Sequence, residues 1–417
     1  MKSICEIWNI AYEKMLERYG EQVPWQILNR FEQERLMLSY SGLQMLDFLS
    51  HLQKAAHETK SPVILSGAYP SSFIGFLLGT SEINPLPAHY VCPKCGRVEF
   101  VDSARDGFDL PEKKCSCGSE LVGDGHNIPI EALSRQVMYR AIAECYVTTE
   151  FFDVAKRIIH DSWDKCYSVV PMQIDDDPMQ LDNGEERLVF VLCPLGQAPK
   201  TDSDGILRLS DEIYFHSYDG YPHVALRHSK LTDQLETAWH RVGRLPSPNE
   251  FCEEKNLRAW ISKKTKANEL LTATKNGTLE VALNSYPIHF STLVQVQGFL
   301  HGTDCWENNG EKLVEQGVDI MDIPSDRESI FLHITKKHPQ AQGLASRVME
   351  MAYKGKFARH GMSHETKNAL NSMGMEQWFV DCCSRAKYLL PKAHSIEFLR
   401  QELMLKWLER SDDEKKQ

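Results

Sequence analysis

Apolar positions in residues 1–60 recur at three- and four-residue steps. Phe31, Leu36, Leu43, Met45, Leu46, Phe48, Leu49 and Leu52 follow this rhythm, which predicts amphipathic helices. The pattern then shortens. Ser61–Ser66 (SPVILS) reads as a brief buried strand, Gly67–Ser72 as a turn and Phe73–Leu78 as the start of a helix. Residues 131–164 return to a helical texture. Between 166 and 226 the chain turns β-like: YSVVPMQI, RLVFVLC, EIYFHSY and HVAL are separated by acidic loops containing Gly and Pro. Residues 242–286 are polar, with RLPSPNE as a hinge, and the remainder is helical. Ser325-Asp326-Arg327-Glu328 reads as a capping box opening a helix that carries Ile330, Phe331 and Ile334. Met349, Met351, Trp378 and Trp407 fall at helical spacing and read as core.

The totals narrow the class. A chain of 417 residues, 42% hydrophobic and 25% charged, can fold two or three domains. Its net charge of −11 excludes a surface that coats nucleic acid throughout, so any such binding needs a local basic patch. No apolar run approaches the ~20 residues of a membrane span. The first twenty residues read as an amphipathic helix and not as a signal peptide.

Twelve cysteines, four of them in one tight group, favour a reducing cytoplasm and a metal site over a disulfide framework. Cys92-Pro-Lys-Cys95-Gly is a zinc knuckle. Cys115-Ser-Cys117-Gly follows, with one spacer residue where two are usual. Four thiolates in two pairs suit tetrahedral zinc and leave no open position, so the expected role is structural. His89 and His126 flank the group and stand as alternative ligands. The Cys382-Cys383 pair reads as buried and not as a redox centre. The Ser, His and Asp residues show no nucleophile elbow, and no Gly-rich stretch has the Lys-Ser/Thr of a P-loop.

Residues 80–100 (TSEINPLPAHYVCPKCGRVEF), 107–118 (GFDLPEKKCSCG) and 124–131 (DGHNIPIE) together resemble the PolC-type DNA polymerase III alpha subunit. In that family a zinc-binding insert sits in the palm, just after the loop that holds the incoming nucleotide's phosphates. FSTLVQVQGFLHGTDCWENNGEKLVEQG (290–317), Lys354-Gly355-Lys356 and AKYLLPKAHS (386–395) resemble the family's fingers. The family carries initiator-binding, PHP and exonuclease regions before this stretch and duplex- and clamp-binding regions after it. The length leaves no room for either set, so the resemblance implies a truncated, degenerate relative.

The catalytic residues of the resemblance are not all here. Such polymerases join nucleotides with two metals on palm carboxylates. The family's Pro-Asp-Ile-Asp-Leu-Asn-Phe string has no counterpart after NIPIE. The family's third aspartate aligns with Arg227, a cation that would repel metals. Asp175 and Asp177 have strand spacing that places both carboxylates on one side, and they are the substitute catalytic candidates. The phosphate loop is altered too: Ser66 stands for arginine and Pro70 for a glycine, which removes an amide donor. Ser71 and Ser72 remain candidates to hydrogen-bond an anion at the following helix start, against the reading of a plain strand-to-helix turn. In the fingers, His301, Arg347, Lys354 and Lys356 are the candidate nucleotide- or DNA-binding residues. Lys336, Lys337, His338, Arg359, His360, Arg385, Lys387 and Lys392 extend an anion-binding face.

The expected fold is therefore α+β: N-terminal helices and a palm-like strand and loop (1–90), a zinc ribbon (91–130), a degenerate palm remnant (131–245), a polar linker (246–286) and a fingers-like helical domain (287–417). The expected function is an inactive polymerase-like module that binds primer-template DNA, nucleotide or a replisome protein. Structural Zn2+ is the expected cofactor, with Mg2+ only if catalysis survives. The alternatives are an active DNA-directed DNA polymerase with other carboxylates, or a purely protein-binding regulatory factor.

Overall fold

The computed structural model describes residues 2–133, 142–175, 187–196, 201, 203–210, 221–262 and 288–416. Three helices open the chain: α1 (Ile4–Tyr19), α2 (Trp25–Met37) and α3 (Tyr40–Glu58). Ser3 and Glu6 form a reciprocal capping box on α1, and Ser39 caps α3. Their apolar stripes bury Met15, Phe31, Leu46, Phe48, Leu49 and Leu52. Leu36, which fits the same rhythm, is exposed.

Strand β1 (Ile64–Ser66) then leads through a 3-10 turn at Tyr69–Ser71 into α4 (Phe73–Leu78). Next comes the ribbon, a three-stranded antiparallel sheet of β2 (His89–Val91), β3 (Val98–Phe100) and β4 (Val122–Asp124) with β2 in the middle.

The following segment corrects the helical reading of 131–164. Residues Ile142–Val147 form strand β5, and among the described residues of this stretch the α-helix is confined to Phe152–Trp163 (α5). Ala143, Cys145 and Val147 are buried while Ile142, Glu144 and Tyr146 are half-buried. This two-residue alternation is a strand signature, but helix-forming neighbours on both sides hide it in a longer window.

Strands β6 (Tyr167–Asp175), β7 (Arg187–Pro194), β8 (Leu207–Ser210) and β9 (His223–His228) complete a six-stranded mixed sheet of order β1-β5-β9-β7-β6-β8. The β5–β9 and β6–β8 pairs are parallel and the others antiparallel. Along β7, Phe190 and Leu192 join the core shared with α3 and α5, while Val189 and Val191 join a small cluster on the opposite face with Met172 and Ala225. The EIYFHSY stretch at 212–218 lies outside the described residues.

Helix α6 (Lys230–Val242) follows. Within the stretch read as a linker, Pro248–Phe251 (α7) and Glu254–Ser262 (α8) are helical, and Phe251, Leu257 and Trp260 are buried in the C-terminal core. That core is built by α9 (Phe290–His301), α10 (Glu311–Glu315), α11 (Arg327–Lys337), α12 (Gln342–Tyr353), α13 (Lys356–His360), α14 (His364–Ser372), α15 (Gln377–Arg385) and α16 (Lys392–Lys416). The capping box of α11 lies one residue later than its predicted start: Asp326 is the N-cap and exchanges hydrogen bonds with Ser329, while the Ser325 hydroxyl donates to Gln295. Met349, Trp407, Cys382 and Cys383 are buried; Met351 and Trp378 are half-buried against the same core.

Helix α16 joins the two halves. It packs on β1 and α6 on one side and on α8 and α9 on the other.

Candidate functional site

The backbone brings the four thiols together before any side chain is considered. After β2, the Gly96 amide bonds back to the Cys92 carbonyl (2.9 Å), with Gly96 at φ 69°. After Cys115, the Gly118 amide bonds back to the Cys115 carbonyl (2.9 Å), with Gly118 at φ 86°. Only glycine takes these left-handed angles without strain. Two tight turns thus face one another. Cys92 Sγ lies 3.5 Å from Cys117 Sγ, and Cys95 Sγ lies 3.7 Å from Cys115 Sγ. All four sulfurs fall within 4.8 Å of one another. Four ligands at ~2.3 Å from one tetrahedral ion are separated by ~3.8 Å, so this donor set fits a structural metal and leaves it no open position. The Ser119 amide and hydroxyl draw the Cys117 thiol down to about 6, toward the thiolate a metal needs. His89 and His126 are engaged elsewhere: their Nδ1 atoms face the Pro87 carbonyl (2.7 Å) and Asp106 Oδ2 (2.8 Å). All twelve cysteines are free thiols.

The ribbon is bolted to both halves. Arg18 on α1 pairs with Asp124 (2.5 Å), which also accepts from Asn84 (2.7 Å). Burial opposes ionisation of Asp124, yet Arg18 and His89 hold its carboxyl below the usual range. On the other side Asp109 accepts from the amides of Phe290 (2.7 Å) and Ser291 (3.2 Å) at the start of α9. Burial and Asp106 push the Asp109 carboxyl up to about 6.

At the turn before α4, the structure places Ser71 and Ser72 fully out of solvent. Ser72 is the N-cap, accepting from the Gly75 amide (3.0 Å). The helix-start donors are taken by Glu34 of α2: it accepts from Ser72 Oγ (2.8 Å), Phe73 N (2.8 Å) and Ile74 N (3.0 Å). Arg30 fixes that carboxylate at 2.6 Å and reaches the Ser71 carbonyl at 2.9 Å. An internal carboxylate therefore occupies the position a bound anion would take.

In the sheet, β5 and β9 run parallel and side by side. Arg227, 5% exposed, donates through Nε to Glu144 on β5 and lies 5.9 Å from the Tyr146 ring centroid. On the neighbouring β1, Ser66 Oγ is 3.0 Å from His394 Nδ1 of α16. Burial, with His301 nearby, pushes that imidazole down to about 4, so it is neutral near pH 7. Asp175 ends β6, at the far side of the sheet from β5, opposite Ser210 of β8. Asp177 lies outside the described residues.

The fingers-like strings converge although 302, 354 and 387 are far apart in sequence. Thr303 N donates to the Tyr388 carbonyl (2.9 Å) and Lys387 N to the Thr303 carbonyl (3.0 Å). Gly355, at φ 61°, sits so close to the Lys387 backbone that a Cβ would lie 2.3 Å from its carbonyl oxygen. Lys354 and Lys356 are exposed on either side of this crossing, Arg347 is exposed two turns earlier on α12, and His301 is exposed at the end of α9. The rest of the predicted cationic face is partly spent. Lys337 pairs with Glu376, Lys387 with Asp304 (2.8 Å), and Lys392 Nζ donates to the His126 carbonyl (2.7 Å).

This ordered set of ribbon, mixed sheet and helical strings coincides with one set of relatives. The chain is similar to PolC-type DNA polymerase III. It is 27% identical over 455 residues to the DNA polymerase III PolC-type of Bacillus subtilis (strain 168), covering 94% of this chain and 31% of that protein. The corresponding protein of Staphylococcus haemolyticus (strain JCSC1435) is 25% identical over 456 residues, again 94% of this chain and 31% of the relative. That of Caldanaerobacter subterraneus subsp. tengcongensis is 26% identical over 459 residues, with 94% and 32% covered. The chain thus spans about a third of the length of the curated relatives it matches. No family model matches it. Covering 94% of the chain, the PolC-like likeness extends well beyond the quoted strings. Among the residues of these sites that no motif marks are Glu34, 38 residues before Ser72, and Glu144, whose strand has helix-forming neighbours in sequence. The i,i+4 spacing of Arg30 and Glu34 was the available signal for the first, and the IAECYV alternation for the second.

Proposed function

We propose that the chain is a PolC-like module that binds primer-template DNA through its fingers-like face and does not extend the primer. The observation that carries this reading is the Arg227–Glu144 pair. Where the resemblance implies a third metal-binding aspartate, a buried guanidinium neutralises a carboxylate of the adjacent strand. A divalent ion placed there meets a fixed positive charge and a carboxylate already engaged. The glutamate-filled turn before α4 supports the same reading, since a nucleotide phosphate would have to displace Glu34. Lys354, Lys356 and Arg347 supply exposed cations in an acidic chain, which suits phosphate contacts confined to one face. The cysteine cluster is assigned zinc on its all-sulfur donor set and closed geometry. Mg2+ has no role in this reading.

The test is primer extension with four nucleotides and Mg2+ or Mn2+, run alongside binding of labelled primer-template at two salt concentrations. The expected result is no extension with salt-sensitive binding. Extension abolished by Asp175→Ala with Asp177→Ala would establish an active polymerase instead. Absence of both extension and binding would leave a protein-partner role.

A further inference from the structure

Leu36 fits the apolar rhythm of the opening helices and yet is 81% exposed. Trp25, at the start of the same helix α2, is 70% exposed. Three turns of helix, about 16 Å, separate the two, so both project from one stripe of α2. Tyr12 of α1 is exposed as well. It and half-buried Trp8 meet the Phe31 ring of α2 edge-on, at centroid distances of 5.9 and 6.1 Å. Around α2, half-buried Leu28 falls between Phe31 and the Trp25–Leu36 stripe, which joins the two helices into one face. Five large apolar side chains are exposed among the described residues, and four of them, Tyr12, Trp25, Leu36 and Tyr40, belong to α1–α3. Exposed apolar residues scattered singly are ordinary, whereas a group of them that includes Trp and Tyr marks an interaction face.

The charges beside this face select its partner. On α1, Glu6, Glu13 and Glu17 fall on one stripe, at steps of seven and four residues, and Glu21 follows in the turn before α2; all four are exposed. The exposed cations of the two helices are already matched, Lys14 with Glu17 (2.7 Å) and Arg35 with Glu32 (2.8 Å). Glu13 and Glu21 have no ion pair among the described residues. A second copy docked here about a twofold axis would bring this acidic rim against itself, and an anionic lipid surface would meet the same repulsion. The complementary surface is apolar with cations beside it. Anchors three turns apart, with a neighbouring helix alongside, match the apolar stripe of a single amphipathic helix.

We propose that the α1–α2 face docks a basic amphipathic helix of another protein, with its apolar stripe on Trp25, Leu36 and Tyr12 and its lysines or arginines toward Glu13 and Glu21. The face shares no residue with the sheet or the fingers-like strings, so the inference stands apart from DNA binding.

The test uses the full chain and two synthetic helical peptides of the same leucine pattern, one with lysine and one with glutamate at every polar position, measured by calorimetry. The expected result is one Leu/Lys peptide per chain, bound at least about tenfold more tightly than the Leu/Glu peptide. Trp25→Ala with Leu36→Ala should lose at least about tenfold while melting is unchanged, since both side chains are exposed. Glu13→Gln with Glu21→Gln should weaken binding and flatten its salt dependence. Equal binding of the two peptides, or Leu/Lys binding that survives Trp25→Ala with Leu36→Ala, would overturn the proposal, the latter by reducing the attraction to the net charge of the chain. A dimer of the full chain, or attachment to phosphatidylglycerol vesicles, that the same double variant abolishes would also overturn it, by giving the face to a second copy or to lipid.

Discussion

The turn before α4 and the Lys354–Lys356 crossing both look like anion sites in sequence, yet they differ in who supplies the counter-charge. At the turn, backbone amides converge on a point that Glu34 already fills, with Arg30 behind it. At the crossing, two lysines flank a glycine forced against the Lys387 backbone, and both point outward to water. Small residues at a helix start therefore do not make a phosphate site by themselves. The donor geometry has to be left open, and a glutamate from another helix can close it. The cross-strand Arg227–Glu144 pair repeats the lesson in the sheet: opposite charges supplied from within leave nothing for a metal to neutralise.

The largest predicted effect concerns the ribbon that holds these regions in place. Cys92→Ser, or stripping with a strong chelator, is expected to release about one metal per chain and to destabilise the fold by several kcal/mol, since binding free energy at a structural site is folding free energy. Metal analysis and melting check it, and an unchanged metal content would remove the ribbon from the comparison. Next is Glu34→Ala. It leaves Arg30 as a lone buried charge and strips the α4 amides of their acceptor, at an expected cost of about 3–5 kcal/mol. If the turn is a latent anion site, phosphate should restore part of the lost melting temperature in this variant and have no effect on the parent chain.

Gly355→Ala should cost about 1–3 kcal/mol, through its left-handed φ and the collision with the Lys387 carbonyl, and should displace Lys354 and Lys356 together. Lys354→Ala with Lys356→Ala, by contrast, is expected to shift stability by less than about 0.5 kcal/mol. It should flatten the salt dependence of DNA affinity by roughly two phosphate contacts. Unaltered salt dependence would detach the lysines from nucleic acid.

The smallest effect separates a spent cation from an available one. Burial raises the Glu376 carboxyl, but Lys337 and His333 outweigh it and hold it at about 2. A carboxyl lowered in the folded state contributes stability above its unfolded value near 4.5, and this is lost as pH falls toward 2. Because the pair is more than a third exposed, the contribution stays under about 1 kcal/mol. Lys337→Ala should remove this acid limb and leave DNA affinity unchanged.

The parts legible in sequence are those whose partners are near in the chain or whose spacing is chemically rigid. Cys92, Cys95, Cys115 and Cys117 announced a tetrahedral donor set because two tight pairs allow little else. The three opening helices, Ile64–Ser66 and Phe73–Leu78 followed directly from periodicity and turn residues. Strand β5 did not, because its alternation lasts only six residues between helix-forming flanks. The Glu34 plug and the Arg227–Glu144 pair join residues 39 and 83 positions apart, and no local pattern encodes which carboxylate will arrive. The convergence of the strings around Thr303, Gly355 and Lys387 was likewise a property of the packed helices and not of any one string.

Gly96 lies so close to α1 that a Cβ there would be 2.6 Å from the Gly20 nitrogen. The knuckle and the end of the first helix are consequently one rigid seam, backbone against backbone. Ligand binding stabilises whatever structure it requires, in proportion to the logarithm of ligand concentration. The last turn of α1 thus becomes a gauge of metal occupancy: amide hydrogen exchange at Leu16–Gly20 should slow as free metal rises, transmitted through the backbone contact of Gly20 with Cys95 and Gly96.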